Sequence, residues 1–191
     1  MPEVIPITMV RDSLDGLPDY PLPEGYSIRT FKRGDGPLWA EIGASAGNFD
    51  SLDAAVEQFD KGLAEPVEDM GSRCFFLVHN ESNRAVGTAM AWYDPAFVEG
   101  ENYGRVHWVA IVPEFQGKGL AKPLMSVVLK RLAESHTKAV LGTQTFRKAA
   151  VSLYLDLGFV PYFKRETCPQ AWADLAVELG HPALAGYVPN T

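Results

Sequence analysis

Tyr26-Ser27-Ile28-Arg29-Thr30-Phe31 alternates polar and apolar side chains, the period of a half-buried strand. Two helical patterns follow, Asp35–Ala46 and Leu52–Leu63, the second with Leu52, Val56, Phe59 and Leu63 on one face. Pro66 and Gly71 end that region. Arg73–His79 is a continuous apolar strand, Asn80–Asn83 a polar turn, and Ala85–Tyr93 the returning strand of a hairpin. A loop, Asp94–Tyr103, carries Pro95, Gly100 and the acids Asp94, Glu99 and Glu101. Gly104–Val112 is a strand stopped by Pro113, and Gly119–Glu134 a helix with Leu120, Leu124, Val127, Val128 and Leu132 on its inner side. Lys138–Thr143 is a short strand. Lys148–Leu157 is a helix ended by Gly158, a left-handed cap position, and Phe159–Arg165 a final strand. Residues 1–25 have five prolines and no sustained period, and are expected to form an arm over the domain with a short strand at Val4–Val10. From Cys168 the tail holds an amphipathic segment, Trp172–Leu179, before a Pro/Gly-rich end. Hairpin, strand, helix, strand, helix, strand predicts one mixed α/β (α+β) domain, a sheet covered by helices.

Composition narrows the class. With 191 residues and 47% hydrophobic content, the chain has material for one core and short extensions. A net charge of -7 repels nucleic-acid phosphates, so no nucleic-acid role is expected, although a local basic patch can still hold a small phosphorylated ligand. The two cysteines, Cys74 and Cys168, form neither a disulfide framework nor a CxxC pair. His79, His136 and His181 have no metal-ligand spacing, and no metal is expected. There is no basic start followed by an apolar segment, and no apolar run near the ~20 residues of a membrane span. A cytoplasmic protein with no membrane partner is the expectation.

The most informative stretch is Val109-Ala110-Ile111-Val112-Pro113-Glu114-Phe115-Gln116-Gly117-Lys118-Gly119-Leu120-Ala121. An apolar strand runs into a glycine turn and a helix follows at once. Free amides and the positive end of the helix dipole then converge on one place, which suits a pyrophosphate. Gly117 and Gly119 remove the Cβ from the approach, and Lys118 and Lys122 add positive charge. GxxxxGK[ST] is absent and Lys122 replaces the third glycine of GxGxxG, so this is neither nucleotide fingerprint. Taken on its spacing, the same stretch also reads as an ordinary strand-to-helix turn.

Gln116-Gly117-Lys118-Gly119-Leu120-Ala121 resembles motif A, [QR]-x-x-G-x-[GA], of the GCN5-related N-acetyltransferases, and Val112-Pro113-Glu114-Phe115 matches its lead-in. Downstream, Ala150-Val151-Ser152-Leu153-Tyr154-Leu155-Asp156-Leu157-Gly158-Phe159 is similar to motif B, A-x-x-L-Y-x-x-x-G-F. Val86-Gly87, opening the third core strand, is a further common feature. The resemblance covers about Tyr26–Arg165, leaving residues 1–25 as arm and 166–191 as tail. It implies a mixed sheet splayed between its fourth and fifth strands, counted from Tyr26–Phe31, with helices on both faces and acetyl-CoA wedged in the gap. The loop amides would hold the coenzyme pyrophosphate. Arg147 stands where the family often has an asparagine. It would contact a coenzyme phosphate or cap the sheet.

The reaction so implied is direct attack of an amine on the thioester. Backbone donors near Ala110, Ile111 and Val112 would stabilise the carbonyl oxygen, and Tyr154 occupies the place of the general acid. From its own helix Tyr154 reads equally as a core tyrosine beside Ala150, Leu153 and Leu157. Glu101 and His107 are candidate bases; otherwise Glu101 is a solvated loop acid and His107 a hydrogen-bonded strand histidine. The three loop acids can attract an ammonium group. The acceptor would be a small-molecule or peptide amine. A non-catalytic acyl-CoA-binding module needs the loop but not Tyr154, and a different acyl donor or an oxygen acceptor fits the same scaffold. The tail is expected to dock on the domain or on a second subunit, which would make a homodimer.

Overall fold

The computed structural model describes residues 4–63, 67–93, 97–98, 101–164 and 168–187. The centre of the sheet is built by β3 (Cys74–His79), β4 (Arg84–Tyr93) and β5 (Tyr103–Ile111). Their side chains alternate between two faces, and both faces are apolar. Cys74, Phe76, Val86 and Met90 point into one core; Phe75, Ala89 and Ala91 point into the other. Burial on both sides is why β3 reads as an unbroken apolar run.

The first core is covered by α1 (Gly36–Ser45) and α2 (Leu52–Gly62), with Trp39, Ile42 and Phe59 as its larger residues. The Ser51 hydroxyl caps α2 by accepting from the Ala54 amide at 3.1 Å. The buried face of α2 differs from the expected one. Ala55 and Phe59 point inward with Leu63, whereas Leu52 and Val56 are exposed. The region after Pro66 is also not a terminator, since α3 (Val67–Arg73) runs through Gly71 and buries Met70. The opposite core is covered by α4 (Ala121–Ala133), whose Leu124, Met125, Val128, Leu129 and Leu132 are all fully buried, whereas Val127 is only half-buried.

Among the described residues seven strands form one sheet, in the order β2-β3-β4-β5-β6-β1-β7, with β1 Pro6–Arg11, β2 Tyr26–Thr30, β6 Lys138–Gln144 and β7 Val160–Tyr162. All pairs are antiparallel except β5 with β6. The N-terminal segment does more than lie over the domain. β1 sits inside the sheet, with Met9 opposite Leu141 on one side and Pro161 on the other. The parallel ladder between β5 and β6 has three pairs, Tyr103 with Lys138, Gly104 with Ala139 and Arg105 with Val140, and then stops. Beyond that point the two strands separate, and the sheet is split at the place the resemblance implied.

α5 (Lys148–Asp156) follows β6. Its C-terminus is held from β1: the Arg11 guanidinium donates to the Leu157 carbonyl. Gly158 turns the chain there at φ +80°, and a Cβ on it would lie 2.1 Å from Arg11 Nη1. α6 (Cys168–Leu179) packs on its own domain through Trp172, Leu175 and Ala176. At the rim Lys148 pairs with Glu178 at 3.0 Å, and Asp156 meets His181 at 3.1 Å. Among the described residues no helix is long and apolar enough to cross a membrane.

Candidate active site

β5 ends in a single helical turn, Pro113–Phe115, and the chain reaches α4 through Gln116–Leu120. Gly117 and Gly119 both have φ +74°. Side chains with a Cβ pay about 1–2 kcal/mol in this region, which explains the two glycines. A Cβ built on either would meet nothing within 4 Å, so the loop is flanked by open space and not by packed atoms. Leu120 has no side-chain cap, the first turn of α4 holds no acid, and the first helical bond runs from the Leu124 amide to the Leu120 carbonyl. The amides from Gly117 through Lys122 therefore have no acceptor among the described residues, and a helix start of this kind draws an anion. Gln116 ties the loop to its strand, Nε2 donating to the Ile111 carbonyl at 2.8 Å. Lys118 lies 4.5 Å above the Phe115 ring. Lys122 is paired with Asp156 at 3.0 Å, so its charge is largely answered before any ligand arrives. Ala121 opens the helix.

The β4–β5 register breaks between Thr88, opposite Ala110, and Met90, opposite His107. Ala89 then faces both Trp108 and Val109, which makes a β-bulge. Trp108 has φ +49°, a costly conformation for a large side chain. Packing offsets it: the indole stacks on Phe49 at 4.8 Å and meets Trp39 edge-on at 5.5 Å. Downstream of the bulge the Val112 amide donates to the Val86 carbonyl at 2.9 Å. The alternation of an antiparallel ladder then commits the Ala110 amide to Thr88 and turns the Ile111 amide away from β4, toward the split. Of the three backbone donors expected near Ala110–Val112, only that of Ile111 faces the open side.

The split holds a cavity of about 390 Å³. Its walls are Val106–Val109 of β5 and Leu141–Gln144 of β6, with Ala150 and Tyr154 of α5 and Pro6–Thr8 of β1. Tyr154 is 7% exposed, and its hydroxyl has no hydrogen-bond partner among the described residues. Burial pushes its pKa up to about 12, against a smaller opposite pull from the Arg147 charge. His107 shares the cavity, its ring 4.8 Å from that of Trp108.

Arg147 also lines the cavity, but its nitrogens are engaged: Nε with Gln144 Oε1 at 2.9 Å, Nη1 with Asn48 Oδ1 at 2.7 Å and Nη2 with the Gly47 carbonyl at 2.7 Å. Glu101 is not brought to this group. It precedes the Tyr103–Lys138 pair, at the closed end of the split, where it is exposed and ion-paired with Lys138. Asp94 and Glu99 lie outside the described residues. Asn48, Trp108 and Gln144 are among the cavity residues that sequence reasoning missed. A turn dipeptide Gly47-Asn48 carries no local sign of a partner 99 positions away, and Trp108 looks like any strand tryptophan.

The sequence profile of the Acetyltransferase (GNAT) family matches residues 45–159. The mycothiol acetyltransferase of Streptomyces coelicolor is 32% identical over 162 residues, 82% of this chain and 50% of the relative. That of Arthrobacter sp. is 33% identical over 152 residues, 75% of this chain and 45% of the relative. The chain thus spans about half the length of the curated relatives it matches. A GNAT-family acetyltransferase of Colwellia psychrerythraea superposes with a TM-score of 0.64 over 83% of this chain and 53% of its own, at 12% identity. A GCN5-related N-acetyltransferase of Sphaerobacter thermophilus does so with a TM-score of 0.60 over 83% and 50%, at 20% identity; both share the fold. With the profile spanning both the glycine loop and the Tyr154 segment, the chain belongs to the GNAT acetyltransferase family.

Proposed function

We propose that the protein moves an acetyl group from acetyl-CoA to a primary amine of a small-molecule acceptor by direct attack, with Tyr154 as general acid. The observation that carries this reading is Tyr154 itself: buried, protonated, unpartnered among the described residues, and set in the wall of an open split. The amides from Gly117 through Lys122 are suited to the coenzyme pyrophosphate, with Lys118 the loop cation that has no acid partner among the described residues. The thioester then reaches into the split. The amine nitrogen bonds the carbonyl carbon and its proton passes to His107, directly or through water. Oxygen charge in the tetrahedral intermediate is met by the Ile111 amide on the open side of β5. The C–S bond breaks with its electron pair on sulfur, and Tyr154 protonates the thiolate and recovers its proton from solvent.

The acetyltransferases named for mycothiol support a small acceptor over a protein one. The test is a panel of small amines assayed for free-thiol release from acetyl-CoA. Turnover with one or more amines is expected. Tight acetyl-CoA binding with no turnover on any amine, peptide amines included, would reduce the protein to an acyl-CoA-binding module.

A further inference from the structure

We propose that Asn48 and Arg147 form a strap across the split that fixes the β5 bulge for acyl transfer, with Arg147 a positioning residue and not a coenzyme contact. The inference rests on the acetyltransferase reading above. The strap is a continuous chain of hydrogen bonds from one wall to the other. Asn48 Nδ2 donates to the Val109 carbonyl in β5 at 3.4 Å, Arg147 Nη1 donates to Asn48 Oδ1 at 2.7 Å, and Arg147 Nε donates to Gln144 Oε1 at the end of β6 at 2.9 Å. Backbone pairing between these strands ended at Arg105 and Val140. The strap therefore joins the walls where the ladder no longer does.

Its middle is rigid. Gly47 turns at φ +73° and its carbonyl takes Arg147 Nη2 at 2.7 Å, and the Asn48 amide is anchored to the Gly43 carbonyl of α1 at 2.9 Å. The next residue, Phe49, stacks on Trp108 at 4.8 Å, and Gly43 leaves it room, because a Cβ there would lie 2.9 Å from the Phe49 ring. One turn thus grips the bulge twice, by the Trp108 ring and by the Val109 carbonyl. The far side of the Val109–Ala110 peptide is held by β4. A peptide held on both sides cannot rotate, and the next amide along, that of Ile111 on the open side of β5, is the donor assigned to the developing oxyanion. A phosphate role fits Arg147 poorly. Nε and both Nη atoms are already engaged, and the lining of its cavity includes no residue of Gln116–Lys122.

The test compares Arg147→Ala, Asn48→Ala and the double variant in full-length protein, by steady-state kinetics and by acetyl-CoA calorimetry. Each single change should lower kcat about 10- to 100-fold, the scale of a small misplacement of reacting groups, with Kd for acetyl-CoA within about threefold. The double variant should be no slower than the slower single one, because both changes cut one chain. Millimolar guanidinium should restore part of the kcat lost in Arg147→Ala and none of that lost in Asn48→Ala. A salt-dependent loss of acetyl-CoA affinity of about tenfold or more in Arg147→Ala, beside wild-type kinetics in Asn48→Ala, makes Arg147 a phosphate contact and overturns the strap. If wild-type protein neither binds acetyl-CoA nor turns it over, the enzyme reading fails on its own. The strap is then judged in ligand-free protein by hydrogen exchange. Arg147→Ala must speed exchange at the Asn48 amide while leaving α4 unchanged, and equal protection in both proteins rejects it.

Discussion

A phenol shut away from water keeps its proton, and at Tyr154 that property can be separated from packing. Tyr154→Phe keeps the ring against Phe159, 6.1 Å away, and removes only the hydroxyl. It should lower kcat on the order of 10²- to 10⁴-fold, the range of general acid catalysis, with little change in acetyl-CoA affinity. Loss of stability with unchanged turnover per folded molecule would make Tyr154 a core residue. The raised pKa also has a sign in stability. The folded value of about 12 lies above the unfolded value near ~10, so the contribution is complete below pH ~10 and is lost as pH rises from 10 toward 12. Cys74, also pushed up to about 12 by burial, acts in the same sense in both proteins and cancels in the comparison. Melting temperature should thus fall more steeply above pH ~10 in the wild type than in Tyr154→Phe. The two loop lysines should also separate. Among the described residues Lys118 has the Phe115 ring beside it and no acid, whereas Lys122 has Asp156. Lys118→Met should weaken acetyl-CoA more than Lys122→Met, with the larger salt dependence; calorimetry at two ionic strengths decides, and equal losses would place both ammonium groups on the ligand.

At the scale of elements, the glycine turn is the part that depends least on the rest of the chain. Gly119→Val puts a branched side chain at φ +74° where there is open space, so the strain falls on the loop and the core is untouched. Acetyl-CoA binding should disappear by calorimetry while the circular dichroism spectrum stays native. Retained affinity would move the pyrophosphate elsewhere. This turn and α5 were legible in the sequence because each is specified within about fifteen consecutive residues, through strand, glycines and helix start, or through Tyr154 and the Gly158 cap. Features that depend on distant partners were not. Leu52, Val56, Phe59 and Leu63 share a helical period with Ala55, and only the position of α1 decides that Ala55 goes inward and Val56 outward. α3 was masked by Pro66 and Gly71, although burial of Met70 outweighs the propensity cost of one glycine, roughly 1 kcal/mol. Glu101 looked like a base because it precedes β5. The parallel pairing of Tyr103 with Lys138 puts it at the wrong end of the split.

For the whole molecule, the two ends of the chain are structural parts and not trimmings. Trp172 of α6 is fully buried in the core that contains Leu124 and Tyr154. Trp172→Ala should cost about 3–5 kcal/mol in denaturant unfolding, the range for a large core aromatic; a loss below about 1 kcal/mol would mean that α6 is only loosely docked. The N-terminal strand has a consequence of another kind, in time. Pro6 pairs with Gln144 and Val10 with Val160, so β1 meets its neighbours across most of the chain. Contacts of such long separation slow folding, because the intervening loop must close before they form. During synthesis β1 emerges long before either of its neighbours and is among the last of these strands to find its place. Until residue 144 has been made, β1 has neither neighbour and must wait as an unpaired apolar segment, with Ile7, Met9 and Val10 exposed to whatever else in the cell can pair with a strand, and one of its edges stays open until residue 162.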